Sequence, residues 1–319
     1  MKIRNSYSSF IPGFARGCLL IVLCSGIGSV LAQDTTAKKA AKPADTSAEA
    51  PVIKKKSFVK NTFEGNFLID DQSVMVPIKG TFEFDIQHRF GTVQHGFSDA
   101  FGLFSGANMK LNFSYVPVNN LQIGLGASNE NMQVDGNIKL AILKQTKDGA
   151  MPVSVTYYVN SIMDTRKADN TTLFVNTSDR FSFYNEIIIA RKFSESFSLQ
   201  ISPSFSHFNN LQGYLDANGN VMPIYNHDNF AIELGGKLKV SDGMSLIANY
   251  DQPVTQNPAQ NPHPNISFGI DMRTSGHDFQ IFIGNYGSLS PQNNTFFNQN
   301  DYKKGEFLIG FNISRLWNF

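Results

Sequence analysis

The sequence predicts an all-β protein, an up-and-down antiparallel transmembrane β-barrel of twelve strands, with fourteen as the other count the pattern allows. Three observations carry this. Apolar and polar residues alternate with period two from Gly80 to the end, short turns alternate with long loops rich in Asn and Pro, and the chain closes on an aromatic residue. Composition agrees: only 17% of the 319 residues are charged, and 28 Phe accompany a single Trp, against roughly 25% charged residues in ordinary soluble domains.

Residues 1–32 read as a cleaved secretory signal. Lys2, Arg4 and Arg16 precede the apolar run Cys18 to Cys24, and Val30, Leu31 and Ala32 place small residues before Gln33. The run is shorter than the roughly 20 residues that span a bilayer. Leu23 is too large for lipid modification at Cys24, and with both cysteines in the leader the body has no thiol chemistry. Residues 33–57 read as a flexible Lys- and Ala-rich tether, since this composition builds no core. A nucleic-acid-binding arm is not expected in an exported protein.

Residues 58–78 break the regular pattern. Phe63, Phe67 and Ile69, then Val74 and Val76, flank Asp70 and Asp71. This suggests a hairpin that caps the periplasmic mouth, enters the lumen as a plug, or adds a strand pair to give fourteen.

The barrel is expected over 79–319. In its first strand Phe82, Phe84, Ile86 and Phe90 share one face, and Thr81, Glu83, Asp85, Gln87 and Arg89 share the other. Further strands fall near 108–115, 121–126, 134–143, 152–160, 180–193, 197–207, 230–240, 244–251, 266–273, 279–286 and 306–319. Short turns at 117–120, 147–149, 194–196, 241–243 and 274–277 are assigned to the periplasmic side. Most of the intervening loops, near 91–106, 161–178, 209–228, 252–264 and 287–305, are long and are assigned to the outside, with a shorter one near Asn129. Tyr115, Phe193, Phe197, Tyr250 and Trp317 are expected to form an aromatic girdle beside the short turns.

The second face repeatedly carries Gln, Asn, Ser, Gly, Lys and Glu, which suits a polar lumen better than a second packed layer. By parity the lumen-facing charges are Glu83, Asp85, Glu186, Glu233 and Asp271 with Arg89, Lys110, Lys139, Lys237, Lys239 and Arg273. Either they form a constriction that selects small polar solutes, or they pair across strands to fill a narrow barrel. In the last strand Phe311, Ile313, Trp317 and Phe319 share the outward face, like the C-terminal signal read by barrel-insertion machinery. Arg315 interrupts that face and would snorkel to the interface.

The run His88-Arg-Phe-Gly91, the segment Met151-Pro-Val-Ser-Val-Thr156, the turn Ala190-Arg-Lys-Phe-Ser-Glu195, the hairpin from Ser267 to Asn285 and Gly310-Phe-Asn-Ile-Ser-Arg315 together resemble an outer-membrane β-barrel family of the Bacteroidota defined as a domain of unknown function. The resemblance runs from Thr62 to Phe319. It implies the barrel and the outer membrane, and it carries no catalytic residues.

Phosphate loops, nucleophile elbows and paired-histidine metal motifs are not found in the sequence, so no enzyme activity, metal or cofactor is expected. His88 and His207 have the outward parity a lipid-facing Ser-His hydrolase would need, but a one-residue slip in register reverses that parity. The expected function is a narrow channel or transport component, with a non-conducting structural or interaction barrel as the alternative. The expected partners are outer-membrane lipids and, during biogenesis, the insertion machinery.

Overall fold

The computed structural model describes residues 57–168 and 174–319. The expected leader and almost all of the tether lie outside the described residues. Twelve strands close into one antiparallel barrel: β3 (Thr81–Thr92), β4 (Asn108–Val118), β5 (Leu121–Ser128), β6 (Gln133–Leu143), β7 (Ser154–Asp164), β8 (Phe181–Lys192), β9 (Phe197–Phe208), β12 (Asp228–Ser241), β13 (Met244–Pro253), β14 (Asn265–Arg273), β15 (His277–Gly284) and β16 (Leu308–Asn318). The last strand pairs with the first, Phe311 opposite His88, so no edge is left. Two small hairpins stand apart from the wall, β1 (Phe67–Leu68) with β2 (Asp71–Gln72), and β10 (Gly213–Leu215) with β11 (Val221–Pro223). Because β1 and β2 pair only with each other, the wall has twelve strands and not fourteen.

Burial is inverted relative to a water-soluble protein. Leu125 is 67% exposed and Phe230 56%, whereas Glu83 and Lys139 are each 1% exposed. An apolar belt of this kind is stable only against hydrocarbon, and closure satisfies the strands' backbone groups inside it. Strand lengths of 8–14 residues suit such a belt. Trp317 packs near Phe82 at the short-turn end, with ring centres 5.7 Å apart. Tyr250 does not belong to that girdle. It pairs with Ile266, at the start of β14 just after the long connection, and so lies toward the opposite rim. Its strand rises from the turn at 242–243, and the parity that places it outward says nothing about height.

The chain enters at the short-turn end, where Phe58 bridges to Thr146 and Val59 N–H donates to the Gln145 carbonyl at 2.8 Å. It climbs inside the barrel, reverses at Ile69–Asp70 between β1 and β2, and returns to the same rim, where Gly80 N–H donates to the Val116 carbonyl at 2.9 Å. From the other end the β15–β16 connection folds inward. Its helix α1 (Pro291–Phe297) is buried from Pro291 to Phe296.

Candidate functional site

The lumen is where the polar side chains converge, and the hairpin is what they converge on. Gln280 from β15 accepts from Ile69 N–H at 3.1 Å, and Asn312 from β16 donates to the Ile69 carbonyl at 2.6 Å. Asn249 from β13 donates to the Leu68 carbonyl. Lys139 from β6 donates to the Asn66 carbonyl at 3.1 Å, Gln200 from β9 to that of Gln72 at 2.9 Å, and Thr156 from β7 to that of Val74 at 2.8 Å. A two-stranded hairpin leaves most of its backbone groups unpaired, and the wall supplies the missing partners.

The hairpin is also held by packing. Phe63, Leu68, Ile69 and Val74 form one buried cluster with Tyr158, Tyr184, Ile188, Ile247 and Phe282 of the wall. Each such burial stabilises by about 1.5–3 kcal/mol. Gly235 makes room for this packing, because a Cβ there would collide with the Leu68 side chain. At the tip, Ile69 has φ +63°, a left-handed conformation that is rare for a β-branched residue. Its two clamps, Gln280 and Asn312, hold that strain of about 1–3 kcal/mol.

Charges distribute into three groups. Glu64 of the hairpin lies 2.9 Å from Lys237 and 3.2 Å from Arg273 at the short-turn rim, where Arg273 is exposed. Burial opposes ionisation of Glu64, but these two cations hold its carboxyl below the usual range. Asp70 at the tip lies 3.8 Å from Arg89 and accepts from Asn294 of α1 at 2.5 Å, so the two inward-folded segments meet. Burial raises the Asp70 carboxyl despite those partners. Asp71 is buried beside Asp251, and burial, then Asp251, Glu233 and Glu186, push its carboxyl well above the usual range.

Of the residues singled out from the sequence, Glu83 and Lys139 bond directly to the hairpin, and Arg89, Lys237 and Arg273 face its acids. Glu186 is buried near Asp71, and Glu233 accepts from Tyr184 at 2.6 Å. Asp85 bonds to Asn112 at 2.9 Å, Lys110 to Asp135 at 2.7 Å and Asp271 to Gln280 at 3.1 Å. Lys239 pairs at the rim with Asp242 at 2.8 Å. Asp135, Asp251 and Asp278 are lumen acids that sequence reasoning missed. Each shares parity with a polar neighbour two residues away, a signal that was present. His207 bonds to Asp228 at 2.6 Å and His88 stacks on Phe311 at 5.0 Å.

A cavity of about 20 Å³ lined by Asn66, Gln72, Lys110 and Tyr158 is enough for about one water. A cavity of about 800 Å³ opens above α1 at the long-loop end, between Arg166, Arg180, Tyr225, Phe297 and Asn298. The connection carrying α1 is fastened by Glu130, whose carboxylate accepts from Ser288 Oγ at 2.6 Å and Leu289 N–H at 3.0 Å.

A family model described as a membrane bound beta barrel domain (DUF5777) matches residues 63–317. A search of curated proteins finds no match. Among solved structures the chain is similar to the NanC porin, with 8% identity, 75% of this chain and 99% of that chain covered and a TM-score of 0.46. It is also similar to an outer membrane channel from Pseudomonas putida F1 (11%, 76% and 97%, TM-score 0.44) and to the P. putida toluene transporter TodX (9%, 83% and 96%, TM-score 0.38). These likenesses stop at barrel architecture, and no solute is carried over from them.

Proposed function

Because the chain belongs to the family of membrane-bound β-barrel domains (DUF5777), we propose that it works in the outer membrane as a narrow channel for small polar solutes, closed at rest by its own N-terminal hairpin. One observation carries this reading. The wall side chains that would line a pore are polar and bond to the hairpin backbone, and water can replace such bonds when the hairpin leaves. Twelve strands enclose more space than the wall side chains alone fill, and the segment that fills it here is held by exchangeable polar bonds. On this reading Glu83, Asp85, Arg89, Lys110, Lys139, Glu186, Glu233, Lys237, Asp271 and Arg273 line the path, and the protein is a channel and not an enzyme. The alternative, a non-conducting interaction barrel, draws on the second inward segment, α1, which narrows the lumen from the other end.

The same reading has residues 1–32 removed on export, residues 33–57 as a tether, and residues 58–78 as the plug. Phe311, Ile313 and Trp317 on the outward face of β16, with Phe319 directly after it, then present the insertion signal. A test of the path uses ion selectivity. In a barrel lacking residues 33–77, Glu83→Gln with Asp85→Asn is expected to move the reversal potential away from cation preference. An unchanged reversal potential would place both residues outside the ion path.

A further inference from the structure

The outward faces of the twelve strands carry three formally charged residues, Asp228, Arg191 and Arg315. Asp228 stands at the long-loop rim and is met by His207. Arg191 and Arg315 stand at the short-turn rim, each at the descending end of its strand and two residues before an aromatic. Arg191 lies 5.2 Å over the ring of Phe193, and Arg315 lies 5.3 Å over that of Trp317.

Other arginines of the described residues have found partners. Arg89, Arg166 and Arg273 each face a carboxylate, and Arg180 donates to the carbonyls of Asp164 and Arg166. Arg191 and Arg315 face no carboxylate among the described residues. Arg315 Nη1 lies 2.9 Å from His277 Nε2 across the β15–β16 pair, a neighbour that accepts a hydrogen bond but brings no negative charge, and its buried Nε has no partner among the described residues. A guanidinium beside an apolar belt needs a counter-charge. At this height in a bilayer the available anion is the headgroup phosphate, whose oxygens match the planar fork of Arg.

We propose that Arg191 with Phe193, and Arg315 with His277 and Trp317, form two binding sites for anionic phospholipid on the outer wall at the short-turn rim. In each, the guanidinium takes the phosphate while the aromatic ring lies against the glycerol and upper acyl region. The two sites also fix the height at which the barrel rides in that leaflet. This inference rests on the membrane setting and is independent of whether the lumen conducts.

The test is native mass spectrometry of the full chain released in mild detergent from vesicles of phosphatidylglycerol mixed with phosphatidylcholine. Retention of phosphatidylglycerol over phosphatidylcholine is expected. The Arg191→Gln/Arg315→Gln variant should hold phosphatidylglycerol about tenfold more weakly, the loss of a charge-assisted contact. Excess inorganic phosphate should leave the bound lipid in place. Equal retention of the two lipids by the native protein would overturn the proposal even if the double variant failed to insert. Displacement by inorganic phosphate would overturn it too, by reducing the sites to ion binding, as would undiminished retention by a folded double variant.

Discussion

A barrel lacking residues 33–77 but keeping the leader is expected to conduct ions in planar bilayers in which the full chain is silent. The deletion removes the backbone to which Lys139, Thr156, Gln200, Asn249, Gln280 and Asn312 are bonded. Those groups cannot stay dry without partners, so water must enter. Twelve strands enclose more space than the roughly eight whose interior side chains fill. The deletion also removes Asp70, the group on which Asn294 of α1 rests, and so loosens the second constriction. Glu130 still fastens that connection, so the expected conductance is small and unsteady. A variant that inserts, shows heat-modifiable migration and remains silent would favour the non-conducting interaction barrel.

The second large effect concerns Asp71. Its docked carboxyl is raised by burial and then by Asp251 of β13, Glu233 of β12, Glu186 of β8 and the adjacent Asp70, from a usual value of 3.8. A carboxyl whose docked pKa is raised favours the docked state in its protonated form. Its contribution is therefore complete below the undocked value and is lost as pH rises from there through the raised docked value. Acidification should tighten the hairpin and neutral pH should loosen it. We expect hydrogen exchange of the hairpin amides, corrected for intrinsic rates, to accelerate severalfold between about pH 5 and about pH 8. In Asp71→Asn the acceleration should shrink to the part left by Asp70, whose docked carboxyl is also raised, and protection at neutral pH should rise. The same pH profile in both proteins would show that another group sets it.

The wall was legible because a membrane barrel writes itself locally. In β3, Phe82, Phe84 and Ile86 alternate with Glu83, Asp85 and Gln87, and that alternation alone assigns each face. The site was less legible for a different reason. Parity assigns Glu83 and Lys139 to the lumen but cannot say that both reach Asn66 of the hairpin, a contact across 17 residues in one case and 73 in the other. The inward fold of 287–305 had no signal at all. Helix α1 is seven residues with two adjacent Asn, too short for a helical period, and it is held by remote partners such as Asp70 and Glu130. Residues 58–78 were legible as an exception to the pattern, and only their placement against Gly235 and Gln280 assigns them to the interior.

The central claim is that this hairpin occupies the lumen in the membrane, and cysteine cross-linking tests it most directly. With the leader removed the body contains no native cysteine. A Leu68→Cys/Gly235→Cys pair brings together two positions whose side chains would collide, close enough for a disulfide after small adjustments. Leu68→Cys/Leu234→Cys is the control, since Leu234 faces outward. In mildly oxidised membranes the first pair should cross-link nearly completely, seen as a mobility shift reversed by reduction, and the second should not. Free labelling of Cys at 68 and 235 by a water-soluble maleimide, without a cross-link in a heat-modifiable barrel, would contradict it.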